Sequence, residues 1–396
     1  MDVVYYTHPA LFEPALCLVQ ALSRHVRIHL LLEISAGAWQ SAMFDARMDD
    51  LPSGIVPADP VLAPIFPAGV REFWQSAMSF HLVSHPSRRS FSLSSWRIGR
   101  DVLRWVADLE ADVLHLDDVD VSPRLALALA LPRLKKTPVV ISVHDPVPHT
   151  GERNWRKTFA RHVAFRRAQA FVLYNAAARE SFASQYAIDA ARVHVTRFGP
   201  YDVIRAWSSP AAGAPHKTVV FFGRLSPYKG LEDFYRAIPL INRRIPDARF
   251  LVAGRPIEGY TPPHPPVLPP PGHIDVIERY LAGAEAAALL RDASVVVCPY
   301  RDASQSGVVL SAFAFNVPVV ATDVGGLPEY VLPERTGLVV PSGDAQAIAD
   351  AVCRILLDRA LAGQLRDGIR HAPFSWDAAA DAIVNVYEKW GRESFK

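Results

Sequence analysis

Cysteine is scarce in this chain, and long apolar runs are missing. The three cysteines, Cys17, Cys298 and Cys353, lie far apart and form no C-x-x-C pair, which argues against a disulfide framework or a thiolate metal site. No apolar run reaches the roughly 18 residues needed to cross a bilayer. The amino terminus lacks the basic and apolar regions of a secretory signal. We therefore expect a cytoplasmic protein with reduced cysteines.

A strong charge of one sign is also missing. The 42 lysines and arginines nearly balance the 40 acidic residues, for a net charge of +2, so no overall field favours nucleic acid as a partner. No G-x-G-x-x-G follows a predicted strand, which argues against an NAD-dependent dehydrogenase. The nearest candidate for a metal-binding pair of carboxylates at a strand end, Asp117-Asp118, is better explained as a solvated strand end. We predict neither a metal nor a cofactor.

Short β-branched runs alternate with longer helical patterns along the 396 residues. This alternation predicts the α/β class, with parallel sheets covered by helices on both faces. Twelve runs are predicted as strands: residues 3–6, 28–32, 113–116, 139–143, 171–174 and 193–195 in the first half, and 219–222, 249–253, 274–276, 294–298, 317–321 and 337–340 in the second.

A stretch with the composition of a linker separates these two series of strands. Residues 208–215 read SSPAAGAP, which is typical of a flexible connection. We predict one Rossmann-like domain over residues 1–200, a linker over 201–216 and a second Rossmann-like domain over 217–375. The last helix, over 376–396, is predicted to pack back on the first domain.

Two segments interrupt this regular pattern. Residues 36–97 are rich in proline and aromatic residues and only weakly periodic. Residues 261–272 read TPPHPPVLPPPG, which we interpret as an extended surface spacer.

Residues 221–234, FFGRLSPYKGLEDF, carry the clearest chemical signal. A predicted strand ends at Gly223, Arg224 follows, and Lys229 stands at the start of a helical pattern. Backbone N–H groups at a helix N-terminus favour an anion, and two nearby cations add full charge. We predict a diphosphate site here. The alternative is an ordinary loop with two solvated basic residues.

Four patches of the second half together resemble a known family. They are GRLSPYKG at 223–230, the strand and loop at 250–254, ASVVVCPYRDASQSGV at 293–308, and PVVATDVGGLPEYV at 318–331 with TGLVVPSGD at 336–344. Their order and spacing resemble the family 4 glycosyltransferases, which are retaining enzymes with the GT-B fold. The resemblance is strong over 217–375 and weaker over the first 200 residues. It implies two Rossmann-like domains facing across a cleft.

The resemblance also implies roles for residues of the second domain, which would bind the donor, a UDP- or GDP-linked sugar. The donor diphosphate would be held by Gly223, Arg224, Lys229, Ser306, Gly307 and Val308. The donor sugar and nucleoside would meet Ser304, Gln305, Ser311 and Glu329.

One departure from the family concerns two glutamates that most members carry with seven residues between them. Aligned on Pro318, this chain has Ala303 and Ser311 at those places, and a one-residue gap would put Ser304 at the first. It fits instead a subset with a Ser-x-Ser-Gly-Val loop. Simple N-capping by Ser304 and Ser306 is the alternative explanation of that loop.

Another departure is Asn316, which replaces a glycine that is usual in the family. Asparagine tolerates the left-handed backbone better than other residues with a side chain. We therefore expect the turn to survive.

In the first half, His144 directly follows the predicted strand 139–143, at the edge of the sheet where ligands bind. The family has a His-Asp pair at this place, near the donor sugar. The resemblance thus implies a catalytic His144 with Asp145 as its orienting partner. Thr7 and His8 follow the first strand where many relatives have a glycine-rich turn. We place these two on the acceptor side, with His149 as a weaker candidate.

Residues 153–167, RNWRKTFARHVAFRR, predict a basic amphipathic helix. Such a helix can lie on an anionic membrane, or it can be a surface helix whose aromatic face packs on the sheet. We expect sugar transfer to a glycan or polyprenyl-linked acceptor in cell-surface polysaccharide or glycolipid assembly, with a peripheral position on the inner membrane face as an option. The rival hypotheses are a nucleotide-sugar-binding pseudoenzyme or scaffold and, disfavoured by the missing carboxylates, a nucleotide-sugar epimerase of the same fold.

Overall fold

The computed structural model describes residues 1–41, 44–89, 92–119, 123–146, 155–208 and 217–391. The chain divides into two units, which are described separately. Unit 1 comprises residues 1–199 and 374–396, and unit 2 comprises residues 200–373.

Unit 1 is built on a mainly parallel sheet. Its strands are β1 (Asp2–Thr7), β2 (Arg27–Ser35), β3 (Ala38–Ser41), β4 (Phe44–Arg47), β5 (Gly54–Pro57), β6 (Ser79–His85), β7 (Val113–Asp117), β8 (Val139–Val143), β9 (Ala170–Leu173) and β10 (Val193–Val195). Its first helices are α1 (Phe12–Leu22), α2 (Asp59–Leu62), α3 (Ala68–Gln75), α4 (Leu93–Asp108), α5 (Arg124–Ala130), α6 (Trp155–Arg167) and α7 (Arg179–Tyr186). The main sheet runs β10-β9-β8-β7-β1-β2-β6-β5, and only its edge strand β5 pairs antiparallel within the described ranges.

Unit 2 contains a second parallel sheet. In chain order its elements are β11 (Thr218–Phe222), α8 (Leu231–Arg244), β12 (Arg249–Ala253), β13 (His273–Ile277), α9 (Gly283–Arg291), β14 (Val295–Cys298), α10 (Gly307–Ala314), β15 (Val319–Thr322), β16 (Gly337–Val340), α11 (Ala345–Leu357) and α12 (Arg359–Arg370). The sheet order is β13-β12-β11-β14-β15-β16. The order reverses between β11 and β14, and ligands of such sheets bind at the carboxyl ends of the strands beside this reversal.

The last helix, α13 (Trp376–Trp390), returns to unit 1. The ring of Trp376 lies 5.6 Å from that of Phe198, and a Cβ added at Gly199 would come within 2.5 Å of the Trp376 ring. Further along α13, the buried Tyr387 hydroxyl is hydrogen-bonded to Nδ1 of His115 on β7. The helix is therefore fastened to unit 1 at both its beginning and its end.

The predicted α/β class with two parallel sheets is confirmed. The sequence prediction missed β3, β4, β5 and β6, which all lie in the weakly periodic segment 36–97. It also assigned residues 201–208 to a linker, whereas the structure places them in unit 2. There the N–H of Tyr201 donates to the carbonyl of Leu310 at 3.1 Å. Residues 209–216 of the predicted linker lie outside the described residues.

The three cysteines are buried, and no disulfide joins any two of them. None of the helices in the described ranges is long and apolar enough to cross a bilayer.

Candidate active site

The loop that follows β11 passes beside the first turn of α10. Gly223 has a φ of +114°, and its N–H donates to the carbonyl of Ala253 at 3.0 Å. A Cβ added at Gly223 would lie 3.0 Å from Cγ2 of Val308. These two residues, predicted for one diphosphate site, are therefore adjacent. They lie beside the reversal in strand order, where a ligand is expected.

The two cations of this loop differ in their surroundings. Arg224 is exposed. The side chain of Lys229 is only 9 % exposed, and its Nζ lies 3.7 Å from the ring centroid of Tyr300 and 5.3 Å from that of Tyr228. A cation over an aromatic face is attracted by the ring. A loop with two solvated basic residues is therefore the wrong description for Lys229.

Two glycines bring their loops into backbone contact with the loop after β14. Gly230 has a φ of +69°, and an added Cβ would lie 1.9 Å from the carbonyl oxygen of Pro299. Gly325 has a φ of +50°, and an added Cβ would lie 1.6 Å from the carbonyl oxygen of Ala303. Only glycine permits both the backbone angle and the approach. Residues 299–303 are thus contacted from two sides by main chain.

The first turn of α10 faces the end of this loop. Ser306 precedes the helix and is 3 % exposed, but its side chain makes no capping hydrogen bond. Its Oγ lies instead 3.2 Å from the hydroxyl of Tyr300. The simple capping explanation is therefore wrong for Ser306. The N–H groups of Gly307 and Val308 are in the first turn, where a helix offers donors to an anion.

The remaining donor-side candidates are spread around the same loops. Ser304 and Gln305 are half-buried in the loop after β14, and Oε1 of Gln305 is buried without a hydrogen-bond partner among the described residues. Ser311 is buried on α10, and Glu329 is half-buried in the helical turn Leu327–Glu329. The part of Ser311 and Glu329 in one site with Lys229 stays a prediction.

In unit 1, three adjacent strands end in side chains that meet. The sheet order β8-β7-β1 places the carboxyl ends of these strands side by side. Asp117, the last residue of β7, accepts a hydrogen bond from Oγ1 of Thr7 at 2.8 Å through Oδ2. Its Oδ1 is hydrogen-bonded to Nε2 of His144, which directly follows β8. His144 is 4 % exposed.

The aspartates of this edge require two corrections. Asp117 and Asp118 are 1 % and 6 % exposed, so the expected solvated strand end is wrong. Asp118 forms a buried ion pair with Arg161 of α6 at 2.9 Å. The observed hydrogen-bond partner of His144 is Asp117, whereas the carbonyl of Asp145 accepts from Nη1 of Arg161 at 2.8 Å. The reason is that β7 lies directly beside β8, so the residue at its end faces His144.

The environment of His144 favours its protonated form. Burial alone would lower the pKa of this imidazole. The attraction and hydrogen bond of Asp117, together with the charges of Asp118 and Asp145, outweigh burial and raise the pKa of His144 above its ordinary value. Nε2 is engaged by Asp117, and Nδ1 is buried without a hydrogen-bond partner among the described residues. Nδ1 is therefore the atom left for a ligand.

Aromatic rings fix the plane of this imidazole. The ring of Phe198 is stacked on His144 at 5.4 Å and 22°, and that of Tyr174 lies at 5.3 Å. Phe198 and Tyr174 also stack on each other at 3.8 Å. Such packing leaves His144 little rotational freedom.

Further buried polar groups lie next to His144 and Asp117 and are hydrogen-bonded to one another. The sequence analysis did not identify them. Nε2 of His115 bonds Oγ of Ser142 at 2.8 Å, and that Oγ lies 2.9 Å from the hydroxyl of Tyr174. Burial lowers the pKa of His115 to about 4. The available signal was the repetition of polar residues two apart in apolar strands, His115 with Asp117 and Ser142 with His144.

The acceptor-side candidates are only partly brought together. Thr7 joins Asp117, and His8 is buried after β1. His149 lies outside the described residues. In the ranges that the structure covers, no group of three His, Cys, Asp or Glu side chains is placed to hold a metal ion.

Comparison with known proteins identifies two matching family models. The model "Glycosyltransferase Family 4" matches residues 61–199, and the model "Glycosyl transferases group 1" matches residues 216–358. A D-inositol 3-phosphate glycosyltransferase of Saccharomonospora viridis is 37% identical over 210 residues, which are 50% of this chain and 48% of that protein. The chain thus spans about half the length of this relative.

Solved structures match along almost the whole chain. Anabaena HepE in complex with UDP and glucose is 15% identical, with a TM-score of 0.66 over 98% of this chain and 100% of that one. A UDP-GlcNAc 2-epimerase from Neisseria meningitidis bound to UDP-GlcNAc is 13% identical, with a TM-score of 0.56 over 98% and 100%. At such identities these likenesses show the fold alone. The chain has the GT-B fold, and its sequence relatives are glycosyltransferases.

Proposed function

We propose that the protein is a retaining glycosyltransferase that moves a sugar from a UDP- or GDP-linked donor to an acceptor hydroxyl. The observation that carries this proposal is the placement of Lys229 over Tyr300, close to the first turn of α10 and beside the reversal in strand order. The UDP bound to HepE, which shares the fold, supports UDP as the first nucleotide to test. The proposed acceptor is a glycan or a polyprenyl-linked sugar used in cell-surface polysaccharide or glycolipid assembly at the inner membrane face.

In this proposal unit 2 stabilises the leaving group. The diphosphate gains negative charge as the bond to the sugar breaks, and fixed donors aimed at that charge accelerate the reaction. Lys229 and Arg224 supply cations, and the N–H groups of Gly307 and Val308 supply main-chain donors. Ser306 is positioned by Tyr300 at the start of the same helix. Neither a metal ion nor a cofactor has a part in this proposal.

Unit 1 contributes His144. Its raised pKa and its buried Nδ1 suit it to donate a hydrogen bond to an oxygen of the reacting sugar or acceptor. Asp117 acts as a positioning residue, because it is hydrogen-bonded to Nε2 and raises the pKa of the imidazole. Retention through attack on the same face of the sugar needs no separate carboxylate nucleophile, which agrees with the absence of the two family glutamates.

Calorimetry with UDP tests the donor site. We expect Lys229→Ala and Arg224→Ala each to weaken UDP binding by about 1.5–3 kcal/mol, the usual loss for a charged hydrogen bond. Arg243→Ala, which removes an exposed cation of the same unit, is the matched control and should leave affinity unchanged. Equal affinities in the wild type and both site variants would remove the diphosphate from these residues.

Two rival functions make different predictions for the same purified protein. A pseudoenzyme or scaffold would bind UDP without releasing it from UDP-glucose, whereas a transferase releases UDP even without acceptor, at a low rate. The shared fold with the UDP-GlcNAc 2-epimerase makes epimerisation the second candidate. Proton NMR of UDP-N-acetylglucosamine distinguishes it, because an epimerase changes the sugar configuration in the absence of any acceptor.

Membrane contact stays part of the proposal. Two of the cations of α6 that were expected to face a membrane, however, contact other residues of the protein. Arg161 is buried against Asp118, and Arg167 donates to main-chain carbonyls, so neither cation faces outward as a free charge. Ala160, Ala164 and Phe165 are buried. Over its described side chains, α6 therefore resembles a packed surface helix more than a membrane-binding one.

A further inference from the structure

A groove on unit 1 concentrates positive charge away from the candidate site. It has a volume of about 540 Å³ and lies between α4 and the segment 133–137 that leads into β8. Five exposed cations line it: Arg100, Arg104, Arg133, Lys135 and Lys136. Glu110 is the acidic residue of the lining, and Asp101 lies 3.2 Å from Arg104. For a chain with a net charge of +2, this is a strong local excess.

Hydrogen bonds from α6 hold the backbone of the segment 133–137, which carries three of these cations. Arg167 of α6 donates through Nη2 to the carbonyl of Leu134 and, at 3.0 Å, to that of Thr137. The N–H of Leu134 donates to the carbonyl of Leu131 at 2.9 Å. The side chains of Leu134 and Thr137 are buried. The backbone between Arg133 and Thr137 is therefore fixed before any ligand arrives.

The other wall of the groove is equally fixed. Arg100 and Arg104 are four residues apart on α4, so they lie on one face of that helix. Its opposite face is buried through Ile98, Val102 and Val106. A groove with two rigid walls loses little conformational entropy when a ligand binds.

This groove is distinct from the candidate active site. It lies where β8 begins, whereas His144 follows the end of β8. A strand rises by about 3.3 Å per residue, so the five residues of β8 separate the two places by about 17 Å. The cations of the groove are therefore not needed to explain His144 or Asp117.

A groove in unit 2 also contains several arginines, but there carboxylates neutralise much of their charge. It is lined by Arg244, Arg354 and Arg359 with Asp350 and Asp358. Arg244 is paired with Asp350, and Arg354 with Glu334 at the rim. In the unit 1 groove, five cations face two carboxylates, Glu110 in the lining and Asp101 beside Arg104, among the residues that the structure describes there. The positive charge there is available to an external anion.

We infer that the unit 1 groove binds a ligand that presents two or more phosphate groups close together. Arginine forks and lysine ammonium groups suit phosphate oxygens, and several such contacts act together at one multiply charged ligand. The phosphates have two possible sources, a soluble polyphosphorylated molecule or the lipid headgroups of an anionic bilayer. This inference does not depend on the proposed sugar transfer.

Calorimetry with tripolyphosphate tests the soluble source. Saturating UDP is present throughout, so that a diphosphate site near Lys229 does not contribute. We expect the triple variant Arg133→Gln, Lys135→Gln, Lys136→Gln to bind tripolyphosphate at least tenfold more weakly than the wild type. The control Arg243→Gln, Arg249→Gln, Arg366→Gln removes the same charge from exposed positions of unit 2 and should bind like the wild type.

Co-sedimentation tests the lipid source with the same variants. Vesicles of phosphatidylglycerol with phosphatidylcholine are compared with vesicles of phosphatidylcholine alone, at low and high salt. We expect recovery with the anionic vesicles to fall at high salt and in the triple variant, but not in the control.

A selective loss in the groove variant in either assay supports the inference and identifies the source. Wild-type binding that is absent in both assays, or that falls equally in the control, overturns it. The double variant Arg100→Gln, Arg104→Gln alters the other wall and should reproduce the loss if the groove is the site. Circular dichroism of each variant checks that the fold is retained.

Discussion

Unit 1 and unit 2 build their candidate functional groups in different ways. In unit 1 the chemistry lies in buried ionisable side chains, with His144, Asp117 and Thr7 at three neighbouring strand ends. In unit 2 it lies mainly in the backbone, where Gly230 and Gly325 bring loops into contact with residues 299–303. The arrangement in unit 1 therefore depends on hydrogen bonds between buried side chains. The arrangement in unit 2 depends on glycine at positions 230 and 325.

The physical costs differ accordingly. A buried charge is unfavourable unless it is paired and hydrogen-bonded, and so His144 comes with Asp117 and Arg161 with Asp118. The contacts of Gly230 and Gly325 with the loop after β14 involve no buried charge. They require a glycine at each position, because a Cβ would collide with the facing carbonyl. Substitutions of the glycines and of the buried ionisable side chains should therefore have different effects on stability and activity.

The largest expected effect is on these glycine contacts. Gly230→Ala would place a Cβ against the carbonyl of Pro299 at a left-handed φ, so we expect a loss of about 3 kcal/mol or more in the free energy of unfolding. Gly259→Ala is the control, because Gly259 also has a positive φ of +78° but open space around it. It should cost only the backbone strain, about 1–2 kcal/mol. Urea unfolding followed by circular dichroism measures both, and equal losses would contradict the contact.

The next effect concerns the buried support in unit 1. His115 has a pKa of about 4 because it is buried, against about 6.5 in the unfolded chain. The folded state therefore favours neutral His115, and its contribution to stability is present above pH 6.5 and lost as the pH falls from about 6.5 to 4. We expect the wild type to lose about 3 kcal/mol more than His115→Gln over this range.

Urea unfolding of both proteins at a series of pH values measures this difference. Carboxylates and His144 titrate in both proteins, so their contributions largely cancel. Parallel stability curves for the wild type and His115→Gln would mean that His115 is not held neutral.

The third effect concerns the chemistry at His144. We expect His144→Ala to fold and to bind UDP normally but to lose at least ~100-fold in turnover, the range for a positioned polar catalytic group. Near-wild-type turnover would refute the catalytic role, and a collapse of the melting temperature would support a structural role instead.

Asp117→Asn sharpens this test, because it removes the carboxylate that raises the pKa of His144. If the imidazolium is the active form, activity falls as the pH rises through the pKa of His144. The variant should then show this fall at a lower pH than the wild type. The control Asp108→Asn, at an exposed residue of α4, should leave the pH profile unchanged.

Much of the fold was predictable because buried parallel strands are short, continuous apolar runs. All twelve predicted strands correspond to strands in the structure. Asn316 has the left-handed φ of +56° that was expected for it. In contrast, β6 reads SFHLVSH, and its serines and histidines hid a strand that lies beside β2 in the sheet.

Site residues could be predicted where they lie close together in one segment of the sequence. Gly223, Arg224 and Lys229 stand within seven consecutive residues, so their loop could be identified directly. Asp117 could not be assigned, because its partners Thr7 and His144 lie 110 and 27 residues away. Asp145 was predicted as the partner of His144 because the family that the chain resembles has a His-Asp pair at this place.

The sequence by itself determined the two series of strands, the position of His144 after a buried strand and the loop around Lys229, because each follows from local periodicity and turn chemistry. Only the tertiary structure decided that Asp117 is buried and paired, that Lys229 lies on Tyr300, and that five cations from α4 and the segment before β8 share one groove. These outcomes depend on which strands and helices become neighbours. Strand order and helix packing, rather than any local pattern, set the distances between residues far apart in the chain.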